Sequence, residues 1–201
     1  CDADNCMVDR KEIDPPAIGA LYASHRLTCT GKNCGSRVLD FVVCEVCGEV
    51  YLGGYKHPIS GGYILTADEP NLEGIPDRIS SEQTYGKYAV VWPMQNGKSP
   101  QRTSWQVDGI GRQWHRGRLN IATGNLKIGA GSPGQNEIAV WVYYMNPNDD
   151  RVLHEPAMPT RCPSCDANYI RRNNPSPLRN HRTGFQKSCQ VLAGGLMREM
   201  P

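Results

Sequence analysis

Two short stretches repeat one pattern: "VCEVCGEVYL", with Cys44 and Cys47, and "RCPSCDANYI", with Cys162 and Cys165. Each has C-x-x-C, then a turn-forming residue (Gly48, Asp166), then an aromatic (Tyr51, Tyr169). Such matched knuckles are what the two halves of a four-thiolate metal site look like, because a tetrahedral ion takes two ligands from each of two tight turns. The pattern therefore joins two parts of the chain with 114 residues between Cys47 and Cys162. Closing so long a loop costs little more than closing a short one, since the cost grows only logarithmically with length, and metal binding can offset it.

The nine cysteines fall into four close pairs and one single residue: Cys1/Cys6, Cys29/Cys34, Cys44/Cys47, Cys162/Cys165 and Cys189. Bridges in a secreted scaffold join distant positions, whereas C-x-x-C and C-x4-C turns suit thiolate coordination, so zinc is favoured over a disulfide framework and over an iron–sulfur cluster. Eight paired thiolates fit two zinc ions. The favoured scheme places Cys1, Cys6, Cys29 and Cys34 on one ion and Cys44, Cys47, Cys162 and Cys165 on the other. A competing scheme joins Cys29/Cys34 to Cys44/Cys47 and Cys1/Cys6 to Cys162/Cys165, because spacing alone does not fix connectivity. Four thiolates saturate either ion, so both are expected to be structural, with no catalytic residue and no bound cofactor beyond zinc.

Around the knuckles the texture is that of strands. "RVLDFVVC" (37–44), "EVYLGG" (49–54), "YAVVWPM", "SWQVDGI", "RLNIATGNLKIG" and "EIAVWVYYM" are rich in β-branched and aromatic residues and are separated by Gly, Pro and Asn. Thr123-Gly124-Asn125 reads as a hairpin turn. The Gly-, Pro- and Asp-rich run from residue 53 to 87 reads as loop. The expected fold is mainly β with zinc ribbons: a ribbon region over 1–55, an inserted loop and small antiparallel β domain over 56–158, and a second knuckle, basic segment and C-terminal α-helix over 159–201. That helix, from Thr183, aligns Phe185, Cys189, Leu192, Leu196 and Met200 on one apolar face, with Cys189 a buried small hydrophobe.

The net charge of +2 is unevenly spread. Residues 167–187 hold Arg171, Arg172, Arg179, Arg182 and Lys187 and no acid, which leaves −3 for the rest of the chain. Five cations without an acid suit a phosphate backbone, or alternatively a domain contact. Trp105, Trp114 and Tyr169 suit either base stacking or the β core. There is no G-x-x-x-x-G-K-[ST], G-x-S-x-G or H-E-x-x-H, and "GIGRQWHRG" and "GAGSPGQNE" read as turn and loop. An independent enzyme is not expected. With 39% apolar residues, no apolar run long enough to span a bilayer and an opening "CDADNC" unlike a signal peptide, the chain is expected to be soluble and cytoplasmic.

The stretches "CDADNC", "LYASHRLTCTGKNCGSRVLDFVVCEVCGEVYLGGY", "PDRISSEQTYGKYAVVWP" and "SPLRNHRTGFQKSCQVLAGGLMREMP" resemble the cysteine-rich segment between the two RecA-like domains of bacterial superfamily 2 DEAD/DEAH-box helicases. The relatives in question are MrfA-type repair helicases and the helicases of the DISARM and Druantia antiphage systems. The resemblance implies a fragment or accessory module of an ATP-dependent DNA helicase or translocase, bracing its motor domains and touching DNA, in antiphage defence or DNA repair. The ATP-binding loop, DEAH box and arginine-bearing motor motifs are absent from this chain, so that activity does not carry over. The alternative expectation is a protein-interaction module that docks a partner subunit.

Overall fold

The computed structural model describes residues 22, 26–31, 34–67, 83–94, 98–172 and 175–180. Nine strands follow in chain order: β1 (Asp40–Cys44), β2 (Val50–Ile59), β3 (Gly62–Thr66), β4 (Tyr88–Pro93), β5 (Ser104–Val107), β6 (Ile110–Asn120), β7 (Asn125–Ile128), β8 (Glu137–Met145) and β9 (Leu178–Asn180). Every pairing between them is antiparallel.

Six of these strands close into a ring: β2 pairs with β3, β3 with β7, β7 with β6, β6 with β8, β8 with β4, and β4 with β2 again. The architecture is a six-stranded antiparallel barrel. The closure depends on the length of β2, ten residues. One edge of its first half pairs with β1 (Leu52 opposite Phe41), and the same edge further along pairs with β3 (His57 opposite Ile64). The other edge pairs with β4 from Leu52 to Tyr55. β1 and β9 extend the sheet from β2, and β5 pairs with β6.

The ring corrects the expected arrangement in two respects. The strands flanking the first knuckle are not a free-standing zinc ribbon, because β2 runs without a break from the knuckle into the barrel wall. The Gly-rich run from 53 is not all loop either, since β2 continues through it and turns at Ser60-Gly61 into β3. Gly61 supplies the positive φ of that turn (79°), whereas Gly53 and Gly62 are there for packing. A Cβ on Gly53 would lie 2.0 Å from the Tyr88 hydroxyl, and one on Gly62 would lie 2.3 Å from the Leu126 carbonyl. Pro58 is tolerated because β2 has only β3 beside it at that point among the described residues. "SWQVDGI" is also two strands: Asp108 and Gly109 take positive φ (50° and 75°) and turn β5 into β6, and this Asp-Gly pair was a readable hairpin signal. The Thr123-Gly124-Asn125 turn is present, with Gly124 at φ 76°. The C-terminal helix lies outside the described residues.

Because β4 and β8 are covered on both faces, their sequences "YAVVWP" and "EIAVWVYYM" are apolar almost throughout instead of alternating. Leu65, Ala89, Val91, Leu119, Leu126, Val140 and Val142 fill the barrel. The neighbouring residues Tyr88, Val90, Trp92, Trp141, Tyr143 and Met145 point outwards into a second core with Tyr51, Trp114, Met158 and Leu178. That outer core contains Cys44 and Cys162. Packing on the outside of the barrel is thus continuous with the cysteine site.

Candidate metal centre

The first knuckle leaves the end of β1 and re-enters the sheet at β2. The Cys44 N–H donates to the Glu49 carbonyl at 2.9 Å, and the Gly48 N–H donates to the Cys44 carbonyl at 2.9 Å. The second repeats this geometry: the Cys162 N–H donates to the Ala167 carbonyl at 3.0 Å, and the Asp166 N–H to the Cys162 carbonyl at 3.0 Å. Both turns need a left-handed residue after the second cysteine, and Gly48 (φ 73°) and Asp166 (φ 59°) supply it. Asp tolerates that region better than most residues. Its carboxylate is also held, with Oδ1 2.7 Å from the Arg161 guanidinium.

The knuckles face each other. The sulfurs of Cys44, Cys47, Cys162 and Cys165 all lie within 4.8 Å of one another. Across the knuckles, Cys44 Sγ is 3.9 Å from Cys165 Sγ, and Cys47 Sγ is 3.8 Å from Cys162 Sγ. A tetrahedron with metal–sulfur bonds of about 2.3 Å has edges of about 3.8 Å, so the spacing fits a zinc-sized ion held by four thiolates. The cluster can hold one metal ion. It is the one such group among the described residues.

The two knuckles are fixed to each other and to the barrel by neutral and charged contacts. Glu49 is the hub: it accepts from Trp92 Nε1 of β4 at 3.3 Å, from Lys98 Nζ at 2.9 Å and from Ser164 Oγ of the second knuckle at 3.3 Å. Beneath the cluster the Tyr51 hydroxyl, fully buried, sits 3.1 Å from Cys162 Sγ. The ring of Tyr51 packs against Trp92 and Trp114, with centroids 5.9 and 6.4 Å away. Tyr51 therefore links one ligand to the outer core.

Burial pushes the Cys44 and Cys162 thiols above their ordinary range, although backbone N–H groups and, for Cys162, the Tyr51 hydroxyl oppose it. Cys47, at the surface, moves the other way: partial burial would raise it, but the Glu49 backbone N–H and the neighbouring thiols hold it below that range. Burial thus disfavours the thiolates in the absence of a cation, and ligand binding to a metal ion would release their protons.

A third turn has related geometry. The Cys29 N–H donates to the Ser36 carbonyl at 2.8 Å, the Gly31 N–H donates to Cys29 Sγ at 3.3 Å, and Gly35, just after Cys34, has φ 59°. The Tyr22 hydroxyl is 2.9 Å from Cys29 Sγ. Cys1 and Cys6, the expected partners of this turn, lie outside the described residues, as do Arg182, Lys187 and Cys189.

The remaining basic residues have divided roles. Arg179, on β9, pairs with Glu45 of the first knuckle at 3.0 Å. Arg172 lies over the Tyr169 ring, 3.9 Å from its centroid, and Arg171 is exposed. Trp114 is only 4% exposed and fills the outer core. Trp105 is half-buried and stacked on Tyr143.

A closed antiparallel barrel with a four-cysteine cluster on its outer face makes this a mainly β module with one group able to hold a metal ion among the described residues. The sequence model of the YjiV N-terminal domain family matches residues 21–182, and the chain belongs to that family. No curated protein and no solved structure matches it. No helix among the described residues is long and apolar enough to cross a membrane.

Proposed function

We propose that this chain is a non-catalytic, zinc-binding module in which the metal fastens the segment after the barrel back onto it, and that the module serves a larger nucleic-acid machine. One observation carries the first half: four sulfurs at tetrahedral spacing, two of them buried, with two neighbours, Tyr51 and Glu49, arranged to hold them. A four-thiolate ion has no open position for substrate or water, which makes it a structural ion. The turn at Cys29 and Cys34 supplies half of a second site, completed in this reading by Cys1 and Cys6.

The nucleic-acid half rests on the resemblance to the cysteine-rich segment of superfamily 2 helicases and on the acid-free basic stretch. In that setting the module braces the two motor domains of an ATP-dependent DNA helicase or translocase, in antiphage defence or DNA repair. Arg171 and Arg172 at the surface, with Arg182 and Lys187, contact the phosphate backbone. The test is metal content together with DNA binding. The chain as purified should carry two zinc ions, lack ATPase activity, and bind DNA with an affinity that falls steeply with salt. Charge reversal at Arg171 and Arg172 should weaken that binding and leave the zinc content unchanged.

A second reading has its own support. Arg179 is engaged by Glu45, and Val46 (54% exposed) and Ile170 (39% exposed) stand out beside the basic residues. Those features favour a protein partner, and in that case the same charge reversal would spare DNA and abolish the partner contact.

A further inference from the structure

The outside of the barrel carries a track of cations that the acid-free segment does not include. Gly117 and Leu119 of β6 and Leu126 and Ile128 of β7 face the barrel interior, so the alternate residues Arg116, Arg118 and Lys127 face outwards. Arg118 and Lys127 stand directly opposite each other in the ladder. Arg116 stands opposite Trp141 of β8, and its guanidinium lies over that indole, 5.5 Å from the ring centroid. Arg118 is held beneath the loop after β7: a Cβ on Gly131 would come 2.9 Å from its guanidinium carbon, and its Nη1 lies 3.5 Å from the Ser132 carbonyl. On the other side Trp141 Nε1 is 3.5 Å from the Lys98 carbonyl, and from there the chain passes Arg102 beside the second knuckle, where the Gln101 N–H donates to the Pro163 carbonyl at 2.9 Å.

The acids along this track are sunk into the protein while the cations stand out. Glu137 is 12% exposed against 45% for its partner Lys127, and its second oxygen accepts from the Gly134 N–H at 3.0 Å. Glu49 is 15% exposed against 45% for Lys98, and it is also engaged by Trp92 and Ser164. Asp166 is held at 2.7 Å by Arg161 and only at 3.9 Å by the exposed Arg102. Arg116 and Arg118 have no carboxylate partner among the described residues. Ammonium and guanidinium groups with one donor engaged keep others for a second acceptor, and surface ion pairs are weak enough to be shared. Cations spread over the outside of a barrel do not enclose a single ion; they suit a polyanion whose charge repeats along its length. Two residues of a strand advance about 6.6 Å, and each strand of DNA presents a phosphate about every 3.4 Å along its axis, so Arg116 and Arg118 reach different phosphates. Trp141 is buried and capped by Arg116, which leaves no free ring there for a base. We propose that the barrel wall from Lys127 through Arg118 and Arg116 to Lys98 and Arg102 is a second DNA-binding surface, one that grips the phosphate backbone without reading sequence. The proposal rests on the nucleic-acid reading above and extends it from the basic segment to the barrel.

The test follows a fluorescently labelled DNA duplex of arbitrary sequence by anisotropy with the zinc-loaded full chain over a range of salt concentrations. Each phosphate contact adds about −0.9 to the slope of log affinity against log salt. The Arg116→Gln/Arg118→Gln double variant should keep its zinc and its melting temperature, bind at low salt about tenfold more weakly, and show a slope flatter by nearly two. Arg116→Lys/Arg118→Lys, which keeps both charges, should retain the slope. Lys127→Gln decides the matter where the double variant does not fold, and should flatten the slope by about one. A folded double variant, or Lys127→Gln in its place, with the slope of the unaltered protein would overturn the proposal and leave the basic segment as the DNA contact. Equal losses in the glutamine and lysine double variants would show packing instead of charge and overturn it too. A glutamate-rich peptide bound as tightly as DNA, with the same dependence on Arg116 and Arg118, would assign the wall to an acidic protein instead. Failure of the unaltered protein to bind DNA at low salt would remove the nucleic-acid reading itself, and this proposal with it.

Discussion

The Tyr51 hydroxyl stands 3.1 Å from the sulfur of Cys162, and Tyr51 itself is a residue of β2, a strand of the barrel. The contact crosses from the barrel to a ligand 111 residues further along the chain. An O–H donated to a metal-bound thiolate spreads part of its charge and fixes the direction of the sulfur.

Tyr51→Phe keeps the ring, which packs on Trp92 and Trp114, and deletes only that donor. The variant should fold, retain its far-ultraviolet spectrum and bind zinc roughly 10-fold more weakly, in line with the loss of other outer-shell partners. Competition against a chromophoric chelator measures it, and an unchanged affinity would show the contact to be packing alone.

Removal of the metal should loosen the outer core first. Cys162→Ser, or treatment of the unaltered protein with a strong chelator, should abolish binding at this cluster and lower the melting temperature, since structural zinc sites contribute about 10–16 kcal/mol of apparent binding energy to the folded state. Near-ultraviolet circular dichroism should report the change, because Tyr51, Trp92 and Trp114 border the site. A chelated protein with the same melting curve would refute a structural role.

Gly53→Ala should be poorly tolerated although it lies in a strand, where alanine is usually harmless. The added carbon would fall 2.0 Å from the Tyr88 hydroxyl and 2.6 Å from the ring carbon that bears it. Moving that ring also strains its hydrogen bond to Asp40 Oδ2, 2.9 Å long. Overpacking of this kind costs about 1–3 kcal/mol, readable by urea denaturation.

Lys56 gives the stability a distinct alkaline profile. Burial brings its ammonium down to about 8, from an ordinary value of 10.5, while Nζ lies over the Tyr85 and Tyr63 rings and donates to the Tyr85 carbonyl. Between about pH 8 and 10.5 the unfolded chain binds the proton that the folded one has released, so this group makes stability rise with pH across that window. Below it the full cost of burying the charge remains. Lys56→Met lacks the contribution, and the folding free energy of the unaltered protein should gain on that of the variant as pH rises from 8 to 10. A constant difference would mean that Lys56 titrates normally.

How much of this was readable beforehand depended on whether the signal was local. The two knuckles were, because each is a turn specified by its own residues: Gly48 and Asp166 mark left-handed positions, and Cys47 and Cys162 then met as matched halves. The strands of β4 and β8 were also plain, being apolar on both faces. The hairpin of β2 and β3 was obscured. Gly62 looked like a loop residue but answers to the Leu126 carbonyl, a neighbour that no local pattern reveals. Closure of the ring was hidden for the same reason, since it depends on β3 meeting β7 at Tyr63 and Leu126. At the site, Tyr51 was noticed only as an aromatic after a knuckle. Its reach to Cys162 needed the fold.

The sharing of β2 between knuckle and barrel also sets an order of events during synthesis. All six strands of the ring precede Cys162 in the chain, and two pairs of them, β2–β3 and β6–β7, are joined by short hairpin connections. Pairings that are close in sequence form early, and domains assemble as they emerge. The barrel can therefore be complete while Cys44 and Cys47 still wait as half a site on its wall. If the cluster takes up zinc as proposed, the later knuckle completes the site on a barrel wall that is already in place.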